Sequence, residues 1–113
     1  MSAQFPAKGF KSAMNPYLYQ QIRTASPEKL ILILYDLGIK SCSTKDRQMA
    51  AQVLAELIGV LDFEQKDMAL QFFDLYNYAL AQVHQNNFDA ALVVLRELRD
   101  VWQAAVLKQA RNN

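Results

Sequence analysis

The sequence is poor in the residues that interrupt helices. It has three glycines and three prolines among 113 residues, and residues 41–113 contain no proline and one glycine. Folds built from short strands need frequent glycine and proline turns. Their scarcity argues against a β-sheet protein and favours long helices, and a hydrophobic content of 52% is too high for a disordered chain.

Cysteine and histidine are scarcer still, since the sequence has one of each, Cys42 and His84. A single cysteine excludes an internal disulfide and is typical of a reducing compartment, where it usually behaves as a small buried hydrophobe. Metal sites need several converging His, Cys or carboxylate ligands. We therefore expect neither residue to carry catalysis or to bind a metal.

Acidic residues in the middle of the chain offer one enzymatic alternative, a carboxylate-bridged metal enzyme with tightly bound iron or manganese. Helical bundles of that type use Glu-x-x-His pairs on facing helices, and this sequence contains none. The glycines are isolated and form no phosphate-binding loop. We predict no enzymatic activity and no cofactor, and we interpret these acids as solvated faces: Glu56, Asp62, Glu64 and Asp67.

Charge of one sign is also lacking, because 12 basic residues stand against 11 acidic ones and the net charge is +1. A balanced chain has no long-range attraction for phosphate, so no nucleic-acid partner is expected. The longest apolar run, Leu30 to Tyr35, is far too short to span a bilayer. With no recognisable signal peptide, the expected location is the cytoplasm, without membrane insertion.

Apolar spacing predicts an all-α fold, an antiparallel up-down four-helix bundle with an N-terminal strap or short helix. Ser26 and Pro27 form a strong helix start, and Ser43 or Thr44 is the expected N-cap of the following helix. Connections of a few residues require consecutive helices to be antiparallel. The expected organisation is a flexible tail over 1–13 and one domain over 14–113, with a strap over 14–25 and helices over about 26–42, 44–62, 64–85 and 87–109.

Apolar residues exceed what a four-helix bundle needs, which is about three positions in seven. The run from Leu30 to Tyr35 is continuous, and Leu75 and Tyr78 lie outside the main stripe of their helix. Two explanations remain open at this point. Either the strap or self-association covers the surplus, or the surplus forms a groove for an amphipathic segment of a partner.

Three groups of short motifs occur in a distinctive order. They are NPYLYQQ, TASPEKL and LYD over residues 15–36, LYNY over 75–78, and LRDVW over 98–102. In this order they resemble the flagellar export chaperone FliS family, and the resemblance covers about residues 15–107. It implies a helical bundle that binds the disordered C-terminal segment of flagellin, prevents premature polymerisation and supports delivery to the type III export apparatus.

We further hypothesise which residues meet the partner, taking the presence of an N-terminal strap from the resemblance. We expect a displaceable strap, a set that bridges core and groove, and a set that lines the groove. The strap contains Tyr17, Tyr19 and Ile22. The residues expected to bridge core and groove are Ile31, Leu34 and Tyr35. Those expected to line the groove are Leu75, Tyr76 and Tyr78. Export-apparatus components and a homodimer stay open as further partners. The alternative is a structural or self-associating helical adaptor that does not bind flagellin.

Overall fold

The computed structural model describes residues 15–112, with side chains described as far as Lys108. The tail expected over 1–13 lies outside these residues. Over the described range the chain forms five helices and no strand, which confirms the all-helical prediction. The helices are α1 (Pro16–Thr24), α2 (Pro27–Ser43), α3 (Arg47–Gly59), α4 (Lys66–His84) and α5 (Phe88–Asn112).

Side-chain caps determine where the first three helices begin. Asn15 accepts a hydrogen bond from the Leu18 amide at 2.8 Å, and Ser26 accepts one from the Lys29 amide at 3.3 Å, as expected for Ser26. The N-cap expected at Ser43 or Thr44 is wrong. Because α2 continues through Ser43, α3 starts later, with Asp46 accepting from the Met49 amide at 3.1 Å.

The four longer helices enclose the core. Helix α2 packs against α3 and α5, and α4 packs against the same two helices. The side chains at the centre are fully buried and come from all four: Leu34, Val53, Leu54, Leu57, Ala79, Val83, Ala91 and Leu95. Burying a leucine side chain contributes about 1.5–3 kcal/mol, so this centre contributes strongly to the stability of the fold.

Gly38 allows α2 to approach two neighbours closely. A Cβ atom at this position would lie 3.0 Å from Leu95 Cδ1 on α5 and 3.3 Å from Val53 Cγ1 on α3. Contacts this short are tighter than ordinary van der Waals packing. The missing side chain therefore sets the spacing of three helices.

Helix α1 attaches to the core through one face. Ile22 is 2% exposed and Leu18 packs partly against the core, whereas Tyr17 is 75% exposed. The segment expected to be a strap or a short helix thus forms a short helix. None of the helices over residues 15–112 combines the length and apolar character needed to cross a bilayer.

Candidate partner-binding groove

An apolar groove of about 480 Å³ opens where the N-terminal halves of α2 and α4 meet the end of α3 and one residue of α5. We call it the apolar groove throughout. Its large apolar side chains come from four helices and from the loop after α3. They are Leu30, Ile31, Tyr35, Leu57, Val60, Leu61, Met68, Phe72, Tyr76 and Trp102.

Three polar residues lie among the lining of the apolar groove: Glu28, Asp62 and Gln65. Two of them are acidic, and no Lys or Arg of the described part of the chain joins them. An apolar surface with an acidic contribution favours an uncharged or basic occupant over an acidic one. Its chemistry is that of a binding site for apolar side chains.

Two buried tyrosines form part of the lining. The hydroxyl oxygens of Tyr35 and Tyr76 lie 2.7 Å apart in a hydrogen bond, and the two residues are 1% and 3% exposed. Burial raises the pKa of both phenols, so both remain protonated at neutral pH. The ring of Phe72 stacks on that of Tyr76 with centroids 6.0 Å apart.

Polar contacts fix the position of α5 against α2. The indole Nε1 of Trp102 donates to the backbone carbonyl of Glu28 at 3.1 Å. One turn earlier, Arg99 pairs with Asp36 and also donates to Gln103. The hydrogen bond to Asp36 raises the pKa of Arg99. Trp102, which lines the apolar groove, is therefore held in place by a helix that also lines it.

Three of the nine residues expected at the partner site line the apolar groove: Ile31, Tyr35 and Tyr76. Leu34, expected to bridge core and groove, is completely buried in the core. Helical geometry explains the difference, because Leu34 lies about 100° around the helix from Tyr35.

The other five expected residues lie elsewhere. Tyr17 is exposed on α1, Tyr19 is half-buried with the Arg23 guanidinium 5.8 Å from its ring centroid, and Ile22 is buried. Leu75 and Tyr78 are 40% and 49% exposed on α4, outside the apolar groove. The structure thus places these five residues on α1 and on the outer face of α4.

Sequence reasoning missed several residues of the lining, chiefly Leu61, Met68, Phe72 and Trp102. Phe72 and Trp102 belong to apolar stripes at helical spacing, which sequence alone assigns to a core. Each is half-buried, because one side packs against the core and the other faces the groove. The available signal was the large size of these two aromatic side chains.

Within the described residues, no group of three or more His, Cys, Asp or Glu side chains is arranged to hold a metal ion. Cys42 is buried in the core, and burial raises the pKa of its thiol to about 11. A protonated, inaccessible thiol is a poor nucleophile. Cys42 is therefore suited to packing in the core rather than to nucleophilic chemistry.

Comparison with known proteins gives one match. Searches of curated proteins and of solved structures found none. The model of the family described as "Flagellar protein FliS" matches residues 10–110, nearly the whole chain. That family consists of chaperones that bind flagellar proteins and is not known to be enzymatic. On this match, the chain belongs to the FliS family of flagellar proteins.

Proposed function

We propose that this protein is a cytoplasmic export chaperone that binds the disordered C-terminal segment of flagellin. In this role it prevents premature polymerisation and supports delivery to the flagellar type III export apparatus. The observation that carries the proposal is the apolar groove, in a chain that belongs to a family of flagellar chaperones.

The energetics of the apolar groove suit a segment that folds as it binds. Ordering a disordered segment costs about 2–5 kcal/mol of the gross interaction energy. Apolar contact offsets this loss at about 25 cal/mol for each Å² removed from water. A groove walled by Ile31, Phe72 and Trp102 offers such contact, and an amphipathic helix presents matching side chains at positions i, i+3, i+4 and i+7.

The proposal includes an architecture. The four longer helices run up and down in one antiparallel bundle, and residues 14–113 form one domain. Packing of α2 and α4 against both α3 and α5 supports this arrangement, as do connections of only a few residues. Helix α1 serves as a displaceable strap, which is consistent with its attachment to the core mainly through Ile22 and Leu18.

Two surfaces would meet flagellin in this proposal. The first is the apolar groove, including Ile31, Tyr35 and Tyr76. The second is the outer face of α4, where Leu75 and Tyr78 are exposed. A segment that leaves the apolar groove along α4 would reach both residues, since they follow Phe72 and Met68 on the same helix.

Isothermal titration calorimetry with a peptide of the flagellin C-terminal segment from the same organism tests the proposal. We expect saturable binding with a negative heat-capacity change, which marks apolar burial. Absence of binding by the folded protein would overturn the proposal.

A matched pair of variants tests the apolar groove itself. Met68 lines it and is 55% exposed, whereas Leu70 is 41% exposed on the same helix and does not line it. Met68→Glu should weaken peptide binding at least tenfold, because it brings a third acid beside Glu28 and Asp62. Leu70→Glu should change affinity less than twofold. Equal effects of the two variants would contradict the assignment.

Self-association is the second candidate function, and exposed apolar residues outside the apolar groove favour it. Tyr78 is 49% exposed, and Val93 and Val101 of α5 are 55% and 61% exposed. Sedimentation velocity separates the two functions. A stable dimer whose mass does not change when the flagellin peptide is added would favour the adaptor.

A further inference from the structure

The Tyr35–Tyr76 pair has more hydrogen-bonding capacity than it uses. Each phenol carries one proton to donate, and both stay protonated because burial raises their pKa. Their mutual hydrogen bond uses one of the two protons, whichever residue donates it. Among residues 15–112, neither hydroxyl has a further partner.

The remaining hydroxyl proton is energetically unfavourable in its buried position. Both side chains are at least 97% buried, and a buried donor without an acceptor is unfavourable because it has lost its hydrogen bond to water. Both tyrosines line the apolar groove, so an occupant of the groove lies against these two residues. An occupant that presents an acceptor here gains a hydrogen bond in a medium of low dielectric.

We propose that the paired hydroxyls of Tyr35 and Tyr76 are a specificity determinant of the apolar groove, donating one hydrogen bond to an uncharged carbonyl oxygen of the bound segment. That oxygen belongs to a backbone carbonyl left free at a helix end or to an Asn or Gln side chain. The inference rests on the proposed function, and it adds that the best partner segment is apolar with one carbonyl at this point.

The lining explains why the acceptor is a carbonyl rather than a carboxylate. Glu28 and Asp62 also line the apolar groove, and they repel a second negative charge. Phe72 stacks on Tyr76 and covers one face of its ring. An amide or ketone oxygen accepts the proton without bringing a charge into this apolar site.

Two small probes of nearly the same shape test the inference without flagellin. Acetophenone carries a C=O group where α-methylstyrene carries C=CH₂. Their affinities for the full chain are measured by titration in ¹H–¹⁵N NMR spectra. The comparison is repeated with the double variant Tyr35→Phe/Tyr76→Phe and with the control Ser43→Ala, which removes an exposed hydroxyl at the end of α2, outside the apolar groove. For each protein we take the ratio of its two probe affinities. Comparing this ratio between the original protein and its variants removes the effect of the different hydrophobicity of the two probes.

We expect the double variant to shift the ratio about fivefold toward α-methylstyrene, the effect of one neutral hydrogen bond. Ser43→Ala should leave the ratio unchanged. An unchanged ratio in the double variant would overturn the inference, which is the result expected if a retained water holds the proton instead. Failure of both probes to bind near Tyr35 and Tyr76 would also overturn it. The flagellin titration is a separate measurement, so peptide binding with an unchanged probe ratio would leave the proposed function intact.

Discussion

The hydroxyl oxygens of Tyr35 and Tyr76 lie 2.7 Å apart although 41 positions of sequence separate the residues. The contact joins α2 to α4, two helices whose main packing partners are α3 and α5. It is thus a direct polar link between α2 and α4, made by two residues that also line the apolar groove.

Removing one member of this pair should destabilise the fold more than removing both hydroxyls. Tyr35→Phe leaves the Tyr76 hydroxyl buried without a partner, which costs about 1–3 kcal/mol. The double variant Tyr35→Phe/Tyr76→Phe replaces both by apolar groups of similar shape and should be nearly neutral. Urea unfolding of the four proteins measures the coupling. Additive losses in the two single variants would contradict this prediction.

Alanine at the two helical glycines should have opposite effects. At Gly59 a Cβ atom meets nothing within 4 Å, so Gly59→Ala should stabilise the protein by about 0.5–1 kcal/mol through helix propensity. At Gly38 the Cβ atom would press on Leu95 and Val53, and overpacking costs about 1–3 kcal/mol. Thermal unfolding measures whether each variant is more or less stable than the original protein. Stabilisation by Gly38→Ala would contradict the prediction and show that the Leu95 and Val53 side chains can move aside.

Glycine should stabilise the turn at Lys45. Lys45 and Asn86 have φ values of 60° and 62°, each just after a helix end closed by two backbone hydrogen bonds. A left-handed conformation costs a lysine about 1 kcal/mol and asparagine less. We therefore expect Lys45→Gly to raise the free energy of unfolding by about 0.5–1 kcal/mol and Asn86→Gly to raise it less. The reverse order in chemical denaturation would contradict the assignment.

Alkaline pH should destabilise the fold through Cys42. Burial raises the pKa of its thiol to about 11, whereas an unfolded thiol ionises near pH 8.5. Between these values the folded state holds the proton and the unfolded state has lost it, so stability falls as pH rises from about 8.5. Unfolding measured from pH 7 to pH 10 should show this slope, and Cys42→Ala should reduce it. An equal slope in the variant would assign the effect to other groups, such as the buried tyrosines.

Local chemistry determined which parts of the fold were predictable. Ser26 and Pro27 define a helix start within three residues, so the start of α2 was clear from sequence. Asp46 was missed because Ser43 and Thr44 are equally good caps, and the choice depends on how far α2 continues. The sequence pattern does not predict that Lys45 adopts a left-handed conformation.

The candidate site was less predictable, because it forms between helices that are distant in sequence. A helical stripe shows that Phe72 and Trp102 face inward, but not that they line a cavity together with Ile31. Leu34 and Tyr35 are adjacent and both apolar, yet only the second reaches the apolar groove. Such distinctions depend on the relative placement of helices, which periodicity does not contain.

Trp102 is the single tryptophan of the chain, and it is anchored to the Glu28 carbonyl on a wall of the apolar groove. Intrinsic indole fluorescence of this protein therefore arises at one place. A guest that displaces solvent from that wall will shift the emission maximum toward the blue, with no background from other indoles. The molecule thus carries its own optical reporter of occupancy, readable without any label.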